Sequence, residues 1–321
     1  LNSNLKKILK IILPVALGVF LVWYSYSSTS AEDRKKIFES IKNADLLWVS
    51  ISIFIGFLSH LSRAIRWNYL LEPLGYKPKI RNNILIILIS YFSNIFIFRS
   101  GEILRATALT TYENVPFEKG FGTIVTERII DLIMLLIIIF SALVLQTDII
   151  TGILKENGIG LVSSVVLLFS GIIGLIIGIR IIKKSTSKLA VKIKNFAVGL
   201  LDGVLSIFKM KNKMAFIFHT LFIWACYIGM FWIIKYTVPE VAALSLGQLL
   251  VAFIAGAFAM TATNGGLGLY PIVVTASLAF FGISKTSGDA FGWIMWSAQT
   301  AIVVVFGAIS FLLLPLWNRN K

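Results

Sequence analysis

Residues 98–132 read FRSGEILRATALTTYENVPFEKGFGTIVTERIIDL, a charged, glycine-containing break between an apolar run at 82–98 and a longer one at 120–146. If the break is a loop between two ordinary spans, the chain crosses a membrane there twice. If it belongs to a helical hairpin that returns to the face it left, the topology of the whole chain changes. The surrounding sequence decides between the two.

Of 321 residues, 57% are hydrophobic and 14% charged, against about 25% charged in an average soluble domain. Mean hydropathy is +0.87, and a water-soluble fold cannot hide so much apolar surface. A hydrocarbon core roughly 30 Å thick needs about 20 helical residues to cross it. Apolar runs near that length recur at 8–27, 46–64, 82–98, 120–146, 158–182, 213–236, 245–262, 266–283 and 289–316. The class is an all-α integral membrane protein.

The formal charge of +15 does not point to nucleic acid, because Lys and Arg flank the apolar runs, where anionic lipid headgroups meet them. Cys226 is the one cysteine, so neither a disulfide framework nor a paired-thiol metal site is expected. No metal or cofactor is expected. The run after Lys6, Lys7 and Lys10 ends in Trp23, Tyr24 and Tyr26 without a small-residue exit, and reads as an uncleaved first span. Residues 31–45 read as an extramembrane helix. Residues 184–211 place Leu189, Ile193, Phe196, Leu200, Val204 and Ile207 at helical spacing, as an amphipathic interfacial helix does.

Orientation follows from the short loops rich in Lys and Arg. Arg180, Lys183, Lys184, Lys188, Lys192, Lys194, Lys209, Lys211 and Lys213 face the single acid Asp202, so the 180–213 segment is expected in the cytoplasm. Both termini then fall on the cytoplasmic side of a bacterial or archaeal cell membrane. Counting crossings from there, 82–119 must begin and end inside, and 245–283 must begin and end outside. The expectation is about six full spans plus two oppositely inserted re-entrant helical hairpins, in one membrane domain over 1–321. The half-repeats are about 46–146 and 213–316, an inverted-topology pattern whose site lies near the midplane.

In the opening stretch, Arg99, Glu102 and Arg105 are three apart and share a face if 101–112 is helical. Glu127, Arg128 and Asp131 follow at the start of the next apolar run. Ionisable residues at membrane depth are functional candidates, whereas the same residues at the edge are snorkelling anchors. Thr261-Ala-Thr-Asn264-Gly265-Gly266-Leu-Gly268-Leu-Tyr-Pro271 breaks any helix. It reads either as a half-helix start that faces an anion or as a plain turn with Pro271 in the first turn of the next helix. His60, Arg63, Arg66 and Trp67 line the cytoplasmic end of the second span, as ordinary anchors or as headgroup ligands. His219 and Cys226 read as core residues. Neither a phosphate-binding loop nor any hydrolase or zinc motif appears, so an enzyme is not expected.

In these residues the chain resembles the lysylphosphatidylglycerol synthase transmembrane-region family, a flippase-like domain. The resemblance runs over nearly the whole chain. It rests on Arg63 with Arg66-Trp67, on Arg99-x-Gly101-Glu102-x-x-Arg105, on Glu127-Arg128 with Asp131, and on Gly265-Gly266-Leu267-Gly268. It implies a lipid-translocating domain without the synthase half. Phe98 stands where the family often has Pro, and Leu269-Tyr270-Pro271 where it often has Glu, which removes an acid for a cationic headgroup.

The expectation is therefore a phospholipid flippase moving or binding an anionic or aminoacylated headgroup. Arg99 and Arg105 would meet phosphate, Glu102, Glu127 and Asp131 would hold the arginines or meet an amine, and Arg128 would complete the network. The rival expectation is a membrane-embedded, lipid-presenting partner of a lipid-modifying or glycosyl-transferring enzyme. Membrane phospholipids are partners in either case.

Overall fold

The computed structural model describes residues 16–147, 191 and 210–319, and every regular element among them is helical. The longer helices are α1 (Ala16–Ser27), α2 (Ala31–Lys42), α3 (Leu46–Leu71), α4 (Ile80–Phe96), α5 (Ser100–Glu113), α6 (Phe117–Leu145), α7 (Lys213–Ile234), α8 (Leu246–Ala262), α9 (Leu269–Ala279) and α10 (Lys285–Trp317), with a single helical turn at Pro239–Ala242 between α7 and α8. Residues 46–74, 117–145, 213–237 and 285–317 are long and apolar enough to cross a membrane, and α1, α4, α8 and α9 are shorter apolar helices. The expected span at 158–182, the interfacial helix at 184–211 and the start of the first span lie outside the described residues.

The chain forms two compact units, 1–127 with 210–321, and 128–209. Of the second, the described part is residues 128–147, which hold the later stretch of α6, and residue 191. The start of α6 and all the other helices belong to the first unit.

Asp45 caps α3, its carboxylate accepting the Leu47 N–H at 2.8 Å, and satisfies one of the donors that every helix start leaves over. No proline or glycine run interrupts the helix until Pro73 and Gly75, where Gly75 takes a left-handed φ of 88°. The expected span ended at 64, whereas α3 continues to Leu71. Arg63, Arg66 and Trp67 thus sit inside a continuous helix instead of at its mouth.

α3 and α7 pack antiparallel. The Trp48 ring lies 5.0 Å from that of Tyr236, Ser52 Oγ donates to the Met230 carbonyl at 3.4 Å, and Ser62 Oγ lies 2.8 Å from His219 Nδ1. The small residues Ser52, Gly56 and Ser59 are buried on α3, and small side chains let helix backbones approach closely in lipid. Outward, Phe54, Phe218, Leu221, Phe311 and Leu312 are exposed, the apolar surface that hydrocarbon requires.

Arg63 faces Glu127 and Trp67 faces Thr123, so α6 begins at the end of the bundle where α3 finishes. The pair α4–α5 therefore leaves from and returns to that end. Its turn is Ile97–Arg99, and it is drawn tight where the Gly101 N–H donates to Asn94 Oδ1 at 2.7 Å. At the opposite end, the Glu240 carboxylate accepts the Ser284 N–H at 3.0 Å, joining the end of α7 to the start of α10. The pair α8–α9 leaves from and returns to this second end. It is broken at Thr263–Gly268, where Gly265, Gly266 and Gly268 take φ of 59°, 78° and 72°, a region costly for other L residues.

The two breaks touch. Asn264 Nδ2 donates to the Phe96 carbonyl at 3.4 Å and Trp296 Nε1 to the Gly265 carbonyl at 2.8 Å. Phe92, one turn before the first break, packs against Gly307. The breaks thus meet beside Trp296–Gly307, midway along the 33-residue α10.

Candidate functional site

Three helices bring charges to one buried point. On α3, Arg63 and Arg66 are one turn apart and share a face. Arg105 comes from α5, and Glu127 lies ten residues into α6. Arg63 Nη1 donates to Glu127 Oε1, Arg66 Nη2 lies 3.4 Å from the same oxygen, and Arg105 grips both oxygens, at 2.8 Å through Nη2 and 3.2 Å through Nη1. None of the four side chains is more than 3% exposed.

Neighbours hold the guanidiniums in place. Tyr227 OH accepts from Arg63 Nη2 at 3.1 Å, and Thr220 Oγ1 from Arg66 Nη1 at 3.3 Å. Arg105 Cζ lies 3.8 Å from the centre of the Trp67 ring, and Trp67 Nε1 donates to Thr123 Oγ1 at 2.9 Å. One turn back along α3, the ring of buried His60 lies 4.9 Å from that of Tyr91, tilted by 57°, with no hydrogen-bond partner for its Nδ1.

Arginine is always charged in proteins, and three guanidiniums converge here on the Glu127 carboxylate. Ions removed from water cost several kcal/mol each unless hydrogen bonds and opposite charges offset it. Such a site suits an anion with several oxygens, because guanidinium forks match phosphate and carboxylate geometry.

The remaining expected residues sit elsewhere. Arg99 is outside α5, in a left-handed conformation with φ 55°, exposed and 5.3 Å above the Phe98 ring. It does not share the face of Glu102 and Arg105, because the helix begins only at Ser100. Glu102 is half-buried, one turn before Arg105. Arg128 and Asp131 lie in the other unit and pair with each other at 3.8 Å. Asn264, Gly265, Gly266 and Gly268 form the α8–α9 break, and Asn264 Oδ1 is buried without a partner. Cys226 is buried, whereas His219 is half-buried against Ser62. Among the described residues, no group of His, Cys, Asp and Glu converges as metal ligands would.

Thr220, Tyr227 and Thr123 were not singled out by sequence. A signal existed, since Thr220 and Tyr227 are polar residues seven apart, two turns along one face of an apolar helix.

A family model described as the lysylphosphatidylglycerol synthase TM region matches residues 11–318. The chain is 28% identical over 120 residues to the UPF0104 membrane protein MJ1595 of Methanocaldococcus jannaschii, covering 36% of this chain and 35% of that protein. It is 30% identical over 102 residues to the glycosyltransferase AglD of Haloferax volcanii, covering 32% of this chain and 16% of that protein. The chain thus spans about a third of one curated relative and about a sixth of the other. No solved structure matches it.

Proposed function

Because the chain belongs to the lysylphosphatidylglycerol synthase TM region family, a multi-pass membrane family, we propose that it is a flippase-like lipid transporter that moves a headgroup past the Arg63, Arg66, Arg105 and Glu127 quartet. The buried quartet is the observation that carries this reading, since ionisable groups at membrane depth mark substrate pathways. Helix pairs that enter from opposite ends and meet halfway suit re-entrant hairpins in an inverted repeat with alternating access. The Lys and Arg distribution favours a cytoplasmic-type membrane with both termini inside. Transport suits the quartet better than catalysis does, because guanidiniums engage both Glu127 oxygens and occupy the lone pairs that a general base would use.

A second reading draws on the similarity to a protein named a glycosyltransferase: the chain presents a lipid to such an enzyme without moving it.

Purified protein in liposomes with head-labelled phospholipid separates the two readings. With transport, an impermeant quencher reaches label that protein-free vesicles protect, and Arg105→Lys, which keeps the charge but loses the two-pronged grip, slows this. Equal protection with and without protein would sink the transport reading. Stable co-purification with a lipid-modifying enzyme would then support the second.

A further inference from the structure

We infer that the headgroup path runs from the quartet to His60, one turn deeper along α3, where the imidazole Nδ1 donates a hydrogen bond to a phosphate oxygen of the lipid. The inference rests on the reading of the quartet as the headgroup site and adds the next contact along the path.

Hydrogen-bond accounting singles out this ring. Ser52, Ser59 and Ser62 are buried on the same helix, and each is satisfied inside the protein. Ser52 Oγ and Ser59 Oγ donate to the carbonyls of Met230 and Gly56, and Ser62 Oγ meets His219 Nδ1. His60 is 8% exposed, and its Nδ1 is buried with no hydrogen-bond partner among the described residues. A buried polar atom left so is costly, and native structures keep few of them without a role or a ligand. An imidazole with its hydrogen on Nδ1 donates there to an oxyanion.

Placement says which ligand passes. Side chains lean toward the N-terminus of their helix, so Arg63 reaches back over the turn that carries His60, three residues earlier. An oxyanion that meets the Arg63 guanidinium therefore has His60 on its inward side. The His60 ring lies 4.9 Å from that of Tyr91 on α4. Tyr91 stands five residues before Phe96, whose carbonyl accepts the Asn264 amide where the two breaks meet. The His60–Tyr91 pair thus lies between the quartet, toward the end of the bundle from which α4 leaves, and the meeting of the breaks beside the middle of α10. A headgroup that travels from one to the other passes it.

The sequence contains two histidines, and the second is a built-in reference, because His219 Nδ1 is 2.8 Å from Ser62 Oγ. The test records nitrogen NMR spectra of the whole protein in detergent, isotope-labelled at histidine and free of a histidine tag, while short-chain phosphatidylglycerol or phosphatidic acid is added. The His60 Nδ1 resonance, identified by its loss in His60→Asn, is expected to move and that of His219 to stay. Diacylglycerol, which has tails but no phosphate, is expected to leave both in place, and inorganic phosphate to move His60 only at far higher concentration. By titration calorimetry, His60→Phe, which keeps a ring and loses the donor, should weaken lipid binding about tenfold, the worth of one charge-assisted hydrogen bond. His60→Asn, whose amide nitrogen takes the place of Nδ1, should keep most of the affinity. A His60 Nδ1 unmoved at saturating lipid would overturn the contact and leave the quartet standing. Equal movement with diacylglycerol would overturn phosphate as the ligand, and inorganic phosphate acting at the lipid's concentration would overturn the lipid as its source. No binding by either lipid would overturn the headgroup site itself. If His60→Phe does not fold, the wild-type spectra decide.

Discussion

The guanidinium of Arg105 lies over Trp67, its Cζ 3.8 Å from the ring centre, while its Nη atoms hold both oxygens of Glu127. The indole is thus a floor for the most directed arginine of the cluster, and its own N–H is spent on Thr123. Trp67→Phe keeps a floor and loses that hydrogen bond, which should cost about 1 kcal/mol. Trp67→Ala leaves a cavity at a fully buried site and should cost about 3–5 kcal/mol. Thermal unfolding in one detergent checks both. Equal losses would mean that the ring itself supports nothing.

Glu127 is the carboxylate that all three arginines meet. Glu127→Ala should destabilise by about 3–5 kcal/mol, the usual consequence of removing one partner from a buried ion cluster. Removing Arg105 as well should recover part of that loss, because one fewer buried cation is left over. A double-mutant cycle on unfolding midpoints measures this coupling. Strict additivity of the two changes would show that the residues do not act as one cluster.

Much of this arrangement can be read from the chain. The stretches Arg99–Glu102 and Thr261–Pro271 stand out in the sequence as breaks between apolar runs, and α4 and α8 end beside them, at Phe96 and Ala262. What escaped was the depth of Arg63 and Arg66. Their charge lowers local hydropathy, so the second span reads as ending near 64, when helix and burial both run on to Leu71. Hydropathy cannot report that Glu127, 64 residues away in sequence, supplies the offsetting charge. Arg99 misled in the other direction. Its spacing to Glu102 and Arg105 is helical, but spacing implies a shared face only inside a helix, and Arg99 takes the left-handed turn before one.

The contact between the two breaks is open to a direct test. A Cβ on Gly265 would lie 3.8 Å from Ile95 Cγ1, so Ile95→Cys with Gly265→Cys, in a Cys226→Ala background, should form an intramolecular disulfide under mild oxidation. The left-handed backbone at 265 should cost the variant about 1–2 kcal/mol. If the breaks move apart during transport, the cross-linked protein should be inactive and recover on reduction. Full transport by the cross-linked form would show that this contact does not open.

At the other end of the molecule, the loop between α7 and α8 is tied to the start of α10 through Glu240. Its carboxylate accepts both the backbone N–H of Ser284, at 3.0 Å, and the Ser284 hydroxyl, at 3.1 Å. These donors hold its ionisation below the ordinary 4.5, the backbone N–H most strongly, against a smaller opposing effect of burial. A carboxyl whose folded value is depressed stabilises the fold above its unfolded value, and that stabilisation disappears as pH falls through the folded one. The tie is therefore fully present above about pH 4.5 and released in more acid solution. Hydrogen exchange at the Ser284 amide, corrected for its intrinsic pH dependence, should show protection that falls as the medium is acidified below that value. Glu240→Gln should lower protection at neutral pH and abolish the acid step. An unchanged acid step in Glu240→Gln would assign the effect to another group.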